Sequence, residues 1–242
     1  LANELDMFRP AEGGLHPREA ANHHADVVSD IILKALDSAD LSVKDLDLVS
    51  FSMGPGLGPC LRIAGTAARA MSCGLGIPIV GVNHCIAHIE IGRIQTGCRD
   101  PVLLYASGGN TQVIAYSEGR YRIFGETQDI GVGNMLDKLG RELGMGFYAG
   151  PTFEKLAKEG SKLYELPYSV KGMDMAFSGL MTAAVALRRK GVPLEDIALS
   201  VQETAFSMLT EVTERAMAHI GKTEVLLGGG VAQNMRLREM VA

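Results

Sequence analysis

Apolar positions recur every three to four residues over 16–36, and this period predicts an amphipathic helix there. These positions are Val27, Val28, Ile31, Ile32 and Leu36. The same period predicts further helices at about 59–74, 133–143, 151–160, 178–190 and 194–220. Continuous apolar runs at 46–53 and 78–84 instead predict buried strands. Because strand and helix alternate here, we expect the strands to pair in parallel through crossover helices.

The pattern changes near residue 100. Three short runs, PVLLYASGGN, TQVIAYSEG and RYRIFGETQD, alternate between apolar and polar positions and are separated by SGGN and SEGR turns. Such runs predict an antiparallel meander. The final stretch, TEVLLGGGVAQNMRLREM, predicts a strand, a glycine loop and a helix. We therefore expect an α/β protein with two domains, residues 1–99 and 100–242.

Composition and charge narrow the function classes. The 242 residues are 47% hydrophobic and 21% charged, which are ordinary values for a folded protein. A formal net charge of -5 argues against a chain that binds nucleic acid by bulk electrostatics alone. Four cysteines without a CxxC pair are expected to be reduced thiols in a cytoplasmic protein. No apolar run reaches the roughly 20 residues that span a bilayer, so no membrane association is expected.

Two histidines lie four positions apart in GVNHCIAHIEIGR, a run compatible with a helix. At that spacing His84 and His88 lie one above the other on a helix face, so both imidazoles can reach one metal ion. Two core histidines, each satisfied by a carbonyl or a carboxylate, would give the same pattern. The spacing alone leaves both interpretations open.

Three segments join a strand to glycines, at residues 52–59, 103–112 and 224–234. Glycine lets the backbone approach a ligand closely, and exposed N–H groups at such turns bind phosphate oxygens. None of these segments matches GxxxxGK[ST], and no GxGxxG opens a helix. The sequence therefore disfavours a Walker-type NTPase and a Rossmann dehydrogenase.

Two carboxylates lie near predicted helix starts. Asp137 follows Gly133 in GNMLDK, and Glu154 follows Gly150 in GPTFEK. Each could interact with a helix dipole, or each could accept hydrogen bonds from the 2′,3′-diol of a ribose. The second alternative, beside phosphate-binding loops, describes a nucleotide pocket.

With these residues assembled, the chain resembles the tRNA N6-adenosine threonylcarbamoyltransferase family, the catalytic subunit of the archaeal and eukaryotic KEOPS complex. The resemblance covers nearly the whole chain and is specific, because the motifs occur as an ordered set. They are FSMGPGLGPCLR, GVNHCIAHIEIGR, LYASGGNTQVIAY, FGETQDIGVGNMLDK, GPTFEKLA, LPYSVKGMDMAFSG and GGGVAQN. Tyr105 before SGGNT favours the archaeal or eukaryotic branch.

The resemblance implies the actin-like, Hsp70-like, sugar-kinase (ASKHA) fold, with two domains around a nucleotide cleft. It also implies one iron or zinc ion bound by His84 and His88, with Tyr105 near or on the metal. The implied contacts to an adenine nucleotide are Tyr105, Ala106, Ser107, Gly108, Gly109, Asp137, Gly150, Glu154 and Asn234. A glycine-rich first hairpin and a further aspartate ligand of the family have no counterpart between Leu1 and Ala242, so we expect material to be missing at both ends.

The implied reaction transfers a threonylcarbamoyl group from threonylcarbamoyl-AMP to N6 of the adenosine next to the anticodon of tRNA, with metal assistance. Implied partners are tRNA, a kinase-like subunit and a small dimerising subunit. The helix at 16–36 is expected either to contact such a subunit or simply to cover the first sheet. A zinc peptidase is disfavoured, because Cys85 stands where an HExxH motif has its glutamate. A non-catalytic ATP-binding scaffold remains the other alternative.

Overall fold

A computed structural model of the chain describes residues 1–8, 16–146 and 149–242. The chain forms two compact units, Leu1–Ala87 and His88–Ala242. Their boundary lies earlier than the predicted domain boundary between residues 99 and 100. The predicted domains, the ASKHA fold and its cleft stay predictions.

The first unit contains two helices, α1 (Pro17–Ala39) and α2 (Gly58–Leu75), and two strands, β1 (Val49–Gly54) and β2 (Ile79–Asn83). The strands pair in parallel, with Val49 opposite Ile79, so the predicted parallel pairing is confirmed. Helix α2 connects the two strands and packs against β1, as the alternation of strand and helix requires. Helix α1 packs against α2, and its contact with a partner stays a prediction.

Helix α3 (His84–Thr96) leads into the second unit, which contains a four-stranded sheet and most of the helices. The strands are β3 (Val102–Ala106), β4 (Thr111–Ser117), β5 (Arg120–Glu126) and β8 (Val225–Gly228), in the order β5-β4-β3-β8. The pairs β3–β4 and β4–β5 are antiparallel, which confirms the predicted meander. Strand β8 pairs in parallel with β3. The short strands β6 (Val170–Lys171) and β7 (Asp174–Met175) form a separate antiparallel pair.

The helices of this unit are α4 (Val132–Glu142), α5 (Ala149–Glu159), α6 (Ser178–Arg189), α7 (Leu194–Ile220) and α8 (Met235–Val241). Helices α4–α7 lie close to their predicted ranges, and α8 is the helix predicted after the last glycine loop. The 27-residue α7 is the centre of the core, because thirteen of its residues are buried. It packs against α5 and against the sheet.

Strand β3 is covered on both faces. Val102, Leu104 and Ala106 belong to the core formed with α4–α7. Their neighbours Leu103 and Tyr105 point to the opposite face, where both lie close to Gly228. Every residue of β3 is therefore buried, which explains its continuous apolar sequence.

No helix within the described ranges combines the length and apolar character that crossing a bilayer requires.

Candidate functional site

The SGGN turn after β3 is held by hydrogen bonds within itself. The Ser107 N–H and hydroxyl both donate to the Asn110 carbonyl, at 2.9 Å each. The glycines between them, Gly108 and Gly109, are exposed. The turn therefore presents bare backbone next to the carboxyl end of β3.

Two of the three predicted glycine segments meet at this turn. A Cβ atom on Gly229 would lie 2.4 Å from the Ala106 carbonyl oxygen, and the φ of Gly229 is +91°. Only glycine combines that conformation with so close an approach. On the other side, a Cβ atom on Gly133 would lie 2.8 Å from the Gly108 Cα. The third segment, residues 52–59, belongs to the first unit.

The first N–H groups of α4 donate hydrogen bonds to residues in and next to the SGGN turn. The Val132 N–H donates to the Thr111 hydroxyl at 2.9 Å, and the Gly133 and Asn134 N–H groups donate to the carbonyls of Ser107 and Gly108 at 3.0 and 2.9 Å. A helix start normally leaves such N–H donors unsatisfied. Here their hydrogen bonds hold α4 against the SGGN turn. Sequence reasoning did not identify this contact, although the glycine spacing in GVGN is its signal.

Beside the turn lies a cavity of about 500 Å³. Its lining includes five residues that the resemblance assigned to the nucleotide: Gly108, Asp137, Gly150, Glu154 and Asn234. The lining residues that sequence reasoning missed are Gly133, Leu136, Pro151, Gly230, Val231 and Gln233. The cavity is thus formed where the SGGN turn, α4, α5 and the 230–234 loop meet.

The other four expected nucleotide contacts do not line this cavity. Tyr105 and Ala106 are buried in β3, at 4% and 0% exposure. Ser107 and Gly109 belong to the adjoining SGGN turn.

Asp137 and Glu154 each accept hydrogen bonds at a helix start. Asp137 Oδ1 accepts from the N–H of Ala149, the first residue of α5, at 2.8 Å. Glu154 Oε1 accepts from the N–H of Met235, the first residue of α8, at 3.4 Å, and from Lys158 Nζ at 3.1 Å. Each carboxylate thus interacts with the start of a different helix from its own. Since a carboxylate has about four acceptor positions, both keep capacity for ligand hydroxyls.

Asn234 caps the last helix. Its side-chain Oδ1 accepts from the N–H groups of Arg236 and Leu237, at 2.9 and 3.4 Å. Its Nδ2 donates to Gln202 Oε1 on α7 at 3.0 Å. The glycine segment at 224–234 was predicted to offer exposed N–H groups to phosphate, but the first N–H groups of α8, just after it, are bound by Asn234 and Glu154.

The predicted metal ligands lie on or next to α3. His84 is the first residue of this helix and His88 lies one turn later. The rings of His88 and Tyr105 are in contact, with centroids 5.0 Å apart. Gly92 lets α3 pack closely on β8, because a Cβ atom there would lie 2.3 Å from Leu226 Cδ2. Among the described residues, no group of three or more His, Cys, Asp and Glu could hold a metal ion.

Asp129, in the GETQDIGVGN motif, binds the start of α6 through its carboxylate. The two groups are 48 residues apart in the sequence. Its carboxylate accepts from the N–H groups of Phe177 and Ser178, at 2.9 Å each, and of Ile130 at 2.6 Å. Burial raises the pKa of Asp129, but the hydrogen bonds from Ser178, Phe177 and Ile130 outweigh it and hold the pKa at about 2. Sequence reasoning gave this residue no role, since its partners are distant in sequence.

A comparison with known families matches nearly the whole chain. The sequence model of the tRNA N6-adenosine threonylcarbamoyltransferase family matches residues 2–242. A protein of that name from Thermococcus kodakarensis is 58% identical over 242 residues, which are 100% of this chain and 74% of that protein. A probable bifunctional tRNA threonylcarbamoyladenosine biosynthesis protein from Thermoplasma volcanium is 59% identical over 242 residues, again 100% of this chain.

The chain spans 46% of the length of that bifunctional relative. Among solved structures, HypF from T. kodakarensis superposes with a TM-score of 0.73 at 15% identity, over 88% of this chain and 38% of HypF. At that identity the likeness shows the fold alone, and it supports an α/β fold of the HypF type.

Proposed function

This chain belongs to the tRNA N6-adenosine threonylcarbamoyltransferase family, and we propose that it transfers a threonylcarbamoyl group from threonylcarbamoyl-AMP to N6 of the adenosine next to the anticodon of tRNA. The observation that carries the proposal is the cavity beside the SGGN turn, lined by Asp137 and Glu154. A volume of about 500 Å³ is suitable for a nucleotide-sized ligand.

The adenylate part of the substrate would bind in this cavity. The ribose hydroxyls donate to the carboxylates of Asp137 and Glu154, and the phosphate lies against the exposed backbone of Gly108 and Gly109. This arrangement keeps the phosphate on the glycine turn and the two carboxylates on the ribose. Holding the adenylate rigidly orients its carbamoyl carbon for attack.

The transfer step requires no protein nucleophile. The N6 amine of the tRNA adenosine forms a bond to the carbamoyl carbon, and the carbon–oxygen bond to the phosphate breaks. AMP leaves with the electron pair, and the amine loses a proton. Because AMP is already a good leaving group, the main tasks of the chain are to bind the adenylate and to orient it.

His84, His88 and Tyr105 are the residues that would hold the metal. Two imidazoles one helix turn apart and a phenol in contact with one of them form a donor set that suits iron or zinc. When bound, either ion supplies Lewis-acid polarisation of a carbonyl. The peptidase alternative lacks support, since the glutamate of an HExxH motif is replaced by Cys85.

His84→Ala is expected to abolish the binding of iron or zinc by the chain, because one of two proposed imidazole donors is lost. Elemental analysis measures the metal, and circular dichroism checks that the fold is kept. His16→Ala, at the residue just before α1, is the control and should keep its metal. An unchanged metal content in His84→Ala would contradict the ligand role.

We propose three partners for the chain: tRNA, a kinase-like subunit and a small dimerising subunit. The proposed location is the cytoplasm.

A transfer assay tests the function. The chain and its partner subunits are incubated with threonylcarbamoyl-AMP labelled in threonine and with a tRNA transcript. Label should appear in the tRNA, and a transcript without the target adenosine should stay unlabelled. Label in neither tRNA, with intact substrate and all subunits present, would refute the proposal.

A further inference from the structure

Two adjacent side chains of α7 bind residues at the start of α8. Gln202 is buried, at 5% exposure, and its Oε1 accepts a hydrogen bond from Asn234 Nδ2 at 3.0 Å. Glu203 accepts from Arg236 Nε and Nη2, at 2.7 and 2.8 Å. Since α7 is the best-buried helix of the unit, both bonds tie the start of α8 to the rigid core.

The orientation of the Asn234 amide follows from these bonds. Its Oδ1 accepts from two backbone N–H groups of α8, so the oxygen is fully used. Its Nδ2 carries two N–H groups, of which Gln202 accepts one. Asn234 also lines the cavity. The group that this side chain can still offer to a ligand is therefore a donor.

We propose that Gln202 is a positioning residue for the nucleotide cavity: it fixes the Asn234 amide so that its second N–H is offered to a hydrogen-bond acceptor of the bound nucleotide. This inference rests on the proposed function, since it takes the ligand to be an adenylate. The acceptor is an oxygen or ring nitrogen of that ligand. A ligand that presents a donor to Asn234 would leave two N–H groups facing each other and would be disfavoured.

Glu203 provides a matched comparison. It is the next residue on the same helix and also binds α8, but its partner Arg236 does not line the nucleotide cavity. Loss of Glu203 should therefore loosen α8 without releasing the amide of Asn234. Loss of Gln202 should release that amide.

Calorimetric titration with AMP tests the proposal on the full chain. Gln202→Leu should weaken AMP binding by about 3- to 10-fold, the worth of one hydrogen bond. Gln202→Glu, which keeps an acceptor for Nδ2, should bind AMP within about twofold of the unaltered chain. Glu203→Leu should lower the thermal unfolding midpoint and leave AMP affinity within the same limit.

A double substitution separates positioning from general stability. Asn234→Asp keeps the cap of α8 but removes the N–H donor, so it should lose AMP affinity. Adding Gln202→Leu to it should cause no further loss, because the amide that Gln202 orients is gone. If the two losses multiply, or if Gln202→Leu binds AMP normally, the positioning role is wrong while the proposed function stands. If the unaltered chain binds no AMP at all, the proposed function and this inference both fail.

Discussion

The carboxylate of Asp137 binds the start of α5 and is proposed to bind the nucleotide as well, and substitutions can separate the two roles. Its Oδ1 accepts the Ala149 N–H at the start of α5, and the same side chain lines the proposed nucleotide cavity. Asp137→Asn keeps an oxygen for Ala149 but removes the charge and one acceptor. We expect AMP affinity to fall by about tenfold or more, since hydrogen bonds to charged groups are worth about 1.5–3 kcal/mol. Calorimetry measures the affinity.

Asp137→Ala is the comparison, because it removes the bond to α5 as well. It should also lower the free energy of unfolding by about 1 kcal/mol, the usual cost of a lost helix cap. If Asp137→Asn bound AMP normally, Asp137 would be a structural residue only.

Asp129 makes stability depend on pH. Its folded-state pKa of about 2 lies below the ordinary 3.8 of an aspartate. A lowered pKa means that the stabilisation is complete above pH 4 and is lost as the pH falls through about 2. Because Asp129 is partly exposed to solvent, the contribution is roughly 1 kcal/mol.

Urea unfolding at several pH values tests this dependence. Asp129→Asn should be less stable than the unaltered chain by roughly 1 kcal/mol at pH 6, and the difference should close towards pH 2. Asp26→Asn, at an exposed position of α1, serves as the control. A difference that does not change with pH would contradict the account.

The contact of α4 with the SGGN turn depends on a missing side chain. A Cβ atom on Gly133 would lie 2.8 Å from both the Gly108 Cα and the Ser107 carbonyl oxygen. Backbone atoms cannot move aside as a flexible side chain can. Gly133→Ala should therefore destabilise the chain by about 1–3 kcal/mol, despite the better helix propensity of alanine, and should weaken AMP binding.

Gly74, inside α2, is the matched control. A Cβ atom there would have nothing within 4 Å. Gly74→Ala should stabilise the chain, by at most about 1 kcal/mol. Thermal unfolding of both variants measures the contrast. Equal effects of the two substitutions would show that the packing of α4 on the turn is not close.

Elements with a strong local pattern were predictable from the sequence. The meander β3–β5 follows from alternation and turn residues, and α7 follows from its long helical period. The parallel pairing of β8 with β3 was not predictable, because more than a hundred residues separate the two strands. The pair β6–β7 was missed as well, since two-residue strands carry no period.

The candidate site was likewise predictable from the sequence only in part. Glycine turns followed by a carboxylate pointed to Asp137 and Glu154, because those patterns are local. The use of Asn234 as a helix cap and its bond to Gln202 were not predicted. Both depend on how α7 and α8 pack, which no short motif encodes.

The charge of the chain as a whole bears on tRNA binding. A net charge of -5 provides little attraction for phosphate. We expect the chain alone to bind tRNA with a Kd weaker than about 10 µM at physiological salt, within the range of non-specific binding. Filter binding with and without the proposed partner subunits measures this. Nanomolar binding by the chain alone would contradict the expectation that tRNA binding depends on the partner subunits.

The central claim is that the cavity between the SGGN turn, α4, α5 and the 230–234 loop binds the adenylate. A crystal structure of the chain grown with saturating AMP tests it most directly. The account predicts ribose density within hydrogen-bond distance of Asp137 and Glu154, and phosphate density at Gly108 and Gly109. AMP bound at another place on the chain, with this cavity filled only by water, would contradict it.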